Sequence, residues 1–127
     1  MLVREVISRR LVTASTGDTV KVAVDLMASN RVGSVLVLES GRLAGIFTER
    51  DLVNHLHRGG GLDDKLGDVM TRNPITVRED ESLWKAVMLM VEHGIRHLPV
   101  VNAEGDLVGV LSIRDALRAL VASSQVP

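Results

Sequence analysis

The chain has 127 residues, 46% of them hydrophobic, which is enough for a packed core and too many for a disordered segment. Its 15 Lys and Arg against 16 Asp and Glu nearly cancel, so no overall field draws it to nucleic acid or to an anionic membrane. There is no cysteine, which excludes disulfides, thiol nucleophiles and Cys-based zinc sites and fits a reducing, cytoplasmic setting.

In chain order, residues 1–7 carry Arg4 and Glu5 where a signal peptide would need its apolar stretch. A short strand is expected near Val12 and Thr13, then a helix whose apolar stripe runs through Val20, Val24 and Met27. The apolar runs Val35–Leu38 and Leu43–Phe47, separated by Gly41, read as a strand, a turn and a second strand. A closing helix starts at Glu49, and the glycines at 59–61 read as a flexible connector. The order then repeats: a strand near Ile75–Val77, a helix through Leu83, Val87 and Met90, strands over Leu98–Val101 and Leu107–Leu111, and a helix from Ile113 with Leu117, Leu120 and Val121 on one face. The longest apolar stretch, Ala86–Val91, is far below the roughly 20 residues that cross a bilayer.

The repetition is explicit. A shift of 63 lays Val6 on Val69, Arg9 on Arg72, Thr13 on Thr76 and Val37 on Val100; after one inserted residue a shift of 64 lays Gly45 on Gly109 and Arg50-Asp51 on Arg114-Asp115. We divide the chain into a first copy over 1–60, a linker over 61–67 and a second copy over 68–127. The fold class is α/β (α+β), two tandem β-α-β-β-α copies. A unit of about 50 residues buries little alone, so the copies are expected to pack sheet to sheet, with the cleft between them the default ligand site.

The chemistry sits in Gly45-Ile-Phe-Thr48-Glu-Arg-Asp51 and its counterpart Gly109-Val-Leu-Ser112-Ile-Arg-Asp115. Each places a hydroxyl and a carboxylate three residues apart where a strand enters a helix. A helix N-terminus offers N–H groups and positive potential to a phosphate, and a Thr or Ser hydroxyl adds a hydrogen bond. The carboxylate one turn on can accept both hydroxyls of a ribose, and Arg50 or Arg114 can balance phosphate charge. The same spacing is also a variant capping box that only starts a helix.

Gly45–Leu52, Asp68–Val77 and His97–Val101 resemble the signature segments of cystathionine-β-synthase-type (CBS) domain pairs, and the likeness covers nearly the whole chain. It implies a pseudo-two-fold disc, a Bateman module, that binds AMP, ADP, ATP, NAD-type molecules or S-adenosylmethionine in up to two clefts. By that likeness Asp51 and Asp115 hold ribose hydroxyls, Thr48 and Ser112 contact phosphate, and Thr13 and Thr76 line the adenine pocket. Arg96 and His97 are further phosphate candidates; the first copy has Gly33 and Ser34 there, which predicts unequal sites. The first copy also has Leu11 and Leu36 where the second has Pro74 and Pro99.

The expected function is therefore regulatory: an adenosyl ligand, with no required cofactor, transmits its occupancy to a protein partner, in a homodimer for which Val87, Val91 and Leu120 are either face residues or core. No nucleophile–base pair or metal set is visible, so no enzyme is expected. The competing reading is a ligand-free dimerisation or interaction scaffold in which both Thr/Ser-x-x-Asp segments are only caps. His55 and His57, two apart, do not share a helical face and are read as structural. Trp84, beside Lys85 on a first helical turn, reads as filler of a core or interface, with an exposed contact-surface role as the alternative.

Overall fold

The computed structural model describes residues 1–123. These form two compact units, and the units do not follow the repeat boundaries: one is Val12–Pro74, the other is Met1–Leu11 together with the chain from Ile75 on. Each unit holds one repeat plus the short segment that precedes the other repeat.

In the Val12–Pro74 unit the elements are β1 (Thr13–Ser15), α1 (Val20–Asn30), β2 (Ser34–Glu39), β3 (Arg42–Thr48), α2 (Glu49–His57), a single turn α3 (Leu66–Val69) and β4 (Thr71–Arg72). The sheet order is β1-β2-β3-β4, parallel between β1 and β2 and antiparallel elsewhere. The β2–β3 hairpin turns on Ser40 and Gly41, both at positive φ (51° and 77°), the backbone that a two-residue hairpin loop requires. The other unit begins with a 3₁₀ turn (Val3–Glu5) and contains β5 (Val77–Arg78), α4 (Leu83–His93), β6 (His97–Val101), β7 (Leu107–Ser112) and α5 (Ile113–Ala122), with sheet order β5-β6-β7. Both copies thus have the β-α-β-β-α order read from the sequence.

Each core is mainly aliphatic. Val20, Ala23, Met27, Val35, Val37 and Phe47 are buried in one, and Leu83, Ala86, Val87, Met90, Leu98 and Val100 in the other. The segments that precede the repeats supply an anchor to each: Leu66 joins the first core and Val3 the second, both fully buried. α5 buries Ala116 and Leu120, whereas Leu117 and Val121 point outward at 50% and 64% exposure. The expected single apolar face of this helix is therefore divided between core and surface.

The linker is also not free. Val20 and Lys21, the first residues of α1, have N–H groups with no partner inside the helix. They donate to the carbonyls of Asp64 and Leu62 at 2.9 Å each, and Leu66 N–H returns to the Asp18 carbonyl at 2.8 Å. The glycines allow the chain to turn, but unsatisfied helix donors fix where it goes. In the second unit Leu83 N–H donates to the Met1 carbonyl and Val3 N–H to the Glu81 carbonyl, both at 2.9 Å, the same pattern displaced by 63 residues.

The lead-in segments are admitted by glycine. β4 pairs with β3 through Gly45↔Arg72 and Ile46↔Thr71, and Ser8 bridges Val110 in the equivalent place. A Cβ on Gly109 would stand 2.7 Å from the Ser8 carbonyl oxygen and 2.8 Å from Ile7; one on Gly45 would stand 2.6 Å from both the Thr71 carbonyl oxygen and Met70 Sδ. Gly17 has nothing within 4 Å. Gly45→Ala and Gly109→Ala are each expected to cost about 1–3 kcal/mol as over-packing, while Gly17→Ala stays near wild type. Urea unfolding of the three variants checks this, and an unperturbed Gly109→Ala would contradict the close approach.

Candidate functional site

Both hydroxyls sit where the sequence puts them, at the end of a strand and the start of a helix. Thr48 is the N-cap of α2 and Ser112 the N-cap of α5; Thr48 Oγ1 accepts from Asp51 N–H at 3.3 Å, and Ser112 Oγ from Asp115 N–H at 3.0 Å. The capping reading is therefore true in both copies. The first helical N–H groups are engaged as well, Glu49 to the Gly33 carbonyl at 3.2 Å and Ile113 to the Arg96 carbonyl at 2.9 Å. Two of the first three amides of each helix are thus already satisfied. A phosphate at either place depends on side chains more than the bare helix terminus suggests.

The carboxylates differ. Asp51 turns back to complete a reciprocal capping box: its Oδ2 accepts from Thr48 N–H at 2.9 Å and from Thr48 Oγ1 at 3.2 Å. Its Oδ1 accepts from Thr71 Oγ1 at 3.0 Å. Asp115 makes no return bond to Ser112 N–H; its side chain is 42% exposed and has the Arg118 guanidinium at 3.9 Å, a distance typical of a loose surface pair.

The remaining candidates fall around these two points. His97, the first residue of β6, is the cross-strand partner of Ser112, and exposed Arg96 precedes it; in the first copy buried Ser34 is the partner of Thr48. Arg50 and Arg114 are exposed on the first turns of α2 and α5. Thr13 opens β1 opposite Leu36, two residues along β2 from Ser34. Thr76 lies outside β5 and is exposed, for a reason seen in its neighbours: Leu36 N–H donates to the Val12 carbonyl at 3.0 Å, whereas Pro99, at the matching place in the central strand β6, has no N–H to give. The second strand consequently begins one position later.

Two residues were not singled out as site members. Thr71 is the donor to Asp51, and the only sequence signal for it is its place in the Asp68–Val77 segment. His55, a turn beyond Asp51, places Nε2 3.0 Å from both the Gly61 carbonyl and Asp64 Oδ2, holding the connector against α2. Asp51, Asn54, His55, Arg58, Asp68 and Thr71 face a polar pocket of about 430 Å³. Among the described residues no group of His, Cys, Asp and Glu is arranged to hold a metal ion. Asp80 is held below its usual value chiefly by its hydrogen bonds from Arg78 at 2.8 and 3.1 Å, and the Arg78 guanidinium is raised by the same bonds; both side chains are exposed.

This geometry, a duplicated strand-to-helix junction with a hydroxyl cap and a carboxylate in the third helical position, coincides with a known sequence pattern. The CBS-domain profile matches twice, over residues 3–58 and 66–122. The chain belongs to the CBS-domain family. A CBS domain-containing mitochondrial protein of Arabidopsis thaliana is 39% identical over 114 residues, covering 84% of this chain; the chain spans 55% of that protein and 61% of a Methanopyrus kandleri relative that is 38% identical over 119 residues. The CBS domain protein of Pyrobaculum aerophilum complexed with AMP superposes with a TM-score of 0.85 at 30% identity, covering 96% of this chain and 99% of that one. The CBS pair of the protein MJ0100, complexed with 5′-methylthioadenosine and S-adenosylmethionine, superposes at 0.88 with 25% identity, covering 97% and 98%. Among the described residues no helix of this CBS pair is long and apolar enough to cross a membrane.

As N-caps, Thr48 and Ser112 should each stabilise the CBS fold measurably. Thr48→Ala and Ser112→Ala are expected to lower the unfolding free energy by about 0.5–2 kcal/mol, with Thr48→Ala the costlier because it also removes a donor from the Asp51 carboxylate. Paired urea titrations decide the order.

Proposed function

We propose that this CBS pair is a regulatory module that binds an adenosyl ligand and passes its occupancy to a protein partner, without catalysing a reaction. The observation that carries this reading is the Ser112–Asp115 junction, where an exposed carboxylate, a capping hydroxyl, His97 on the adjoining strand and Arg96 just before it meet at one helix start. Asp115 offers two acceptor oxygens to a ribose diol. Ser112, Arg96 and Arg114 offer a donor and cations to a phosphate or a carboxylate tail, and the edge near Thr76 can take an adenine. The AMP and S-adenosylmethionine complexes of the two structural neighbours support the class of ligand. The lack of cysteine supports a cytoplasmic location.

The scaffold reading is favoured by one specific observation, the closed capping box at Thr48–Asp51, which accounts for that motif without any ligand. A thermal-shift and calorimetry panel of AMP, ADP, ATP, NADH and S-adenosylmethionine separates the readings. A binder present at about 100 times its Kd adds about 2.7 kcal/mol of stability and so raises Tm. We expect at least one ligand to do so, with Asp115→Ala weakening it at least as much as Asp51→Ala. No shift with any of them would leave the scaffold.

We also propose a homodimer, on a face that keeps only Val91 of the three residues read in the sequence. Val87 and Leu120 are buried, at 6% and 4% exposure, and cannot face a partner; Val91 is exposed. With Trp84 and Met88 it forms a stripe along α4, continued by Leu117 and Val121 on the neighbouring α5. The same patch on a second copy is self-complementary across a two-fold axis. Sedimentation equilibrium should give a dimer, and Val91→Glu with Leu117→Glu a folded monomer; a dimer that survives both changes rules out this face.

A further inference from the structure

The two carboxylates carry the same sequence motif but not the same set of partners. A carboxylate offers about four lone-pair sites. At Asp51 three donors already occupy them: Thr48 N–H and Thr48 Oγ1 on Oδ2, and Thr71 Oγ1 on Oδ1. A ribose diol needs two acceptors from the same group, so it can bind Asp51 only by displacing one of these. Thr71 reaches Asp51 because β4 pairs with β3 at Ile46↔Thr71, which sets the hydroxyl beside the first turn of α2.

The counterpart of Thr71 is Ser8, displaced by 63 residues and bridged to Val110 in the same way. Ser8 has a hydroxyl too, but among the described residues none of the bonds to Asp115 comes from it; Asp115 has only the Arg118 guanidinium, at 3.9 Å. Asp115 also lacks the return bond from the Ser112 amide that Thr48 makes to Asp51. The copy with the open carboxylate is the one with Arg96 just ahead of the adjoining strand, where the first copy has Gly33.

We infer that Thr71 is an internal competitor for Asp51, and that the chain takes one adenosyl ligand, at Asp115, instead of two. This rests on the adenosyl-binding reading above and adds which carboxylate holds the ligand and what closes the other. Thr71 acts through Asp51 and touches no ligand itself; it determines stoichiometry by its position.

Isothermal titration of the full chain with AMP, and separately with S-adenosylmethionine, tests this. The wild type should bind one ligand per chain. Asp115→Asn should weaken that binding by about tenfold or more, the worth of one hydrogen bond to a charged group. Thr71→Val, which removes the hydroxyl and keeps the shape, should admit a second ligand, and adding Asp51→Asn to Thr71→Val should remove it again. Thr71→Ser, which keeps the hydroxyl, should stay at one and controls for any loss of fold. Two equal sites in the wild type, loss of the single site in Asp51→Asn, or a Thr71→Val protein that still takes one ligand would each overturn the assignment. Silence from both ligands in the wild type rejects the adenosyl reading itself, a result distinct from two equal sites.

Discussion

The lead-in segments lie so close to Gly45 and Gly109 that the backbone of residues 8 and 71 comes within 2.6 to 2.7 Å of where a Cβ would be. Much else depends on that approach. It seats Leu66 and Val3 in the two cores, and it carries the chain past the starts of α1 and α4, where the carbonyls of Asp64 and Met1 take up helix N–H groups that would otherwise face no acceptor. The same approach brings the Thr71 hydroxyl to Asp51. A glycine that precedes a candidate ligand motif invites a reading in terms of the ligand; here its first requirement is a backbone neighbour.

With that frame fixed, small substitutions decide the chemistry at each junction. Both helices begin with a hydroxyl cap, and both caps are made. What separates the copies is whether the carboxylate one turn on is returned to the cap or left facing outward. Pro99 adds a second asymmetry: by removing one ladder bond it shortens β5 and leaves Thr76 outside the sheet, while Thr13 is held within β1.

The sequence made the duplication, the order of elements and the two N-caps legible, because the caps and elements depend on residues within a few positions of one another. It did not make the Thr71–Asp51 bond legible, since that depends on the register of a strand twenty residues away. For Val87, Val91 and Leu120 the sequence leaves core and partner face open, because a helical stripe has the same spacing in either case; only the packing of α4 against α5 separates buried Val87 from exposed Val91. The connector misled for another reason. Its three glycines signal conformational freedom, but the demand of helix donors for acceptors, and the grip of His55, lie outside the connector's own sequence.

One consequence concerns covalent connection. In this chain neither repeat completes its own unit, since each takes a backbone partner from the segment ahead of the other repeat. Cutting the chain between the repeats would therefore free neither copy, because each half would carry away the arm that the other uses. The join does more than tether: it holds each arm at a high effective concentration beside the sheet it closes.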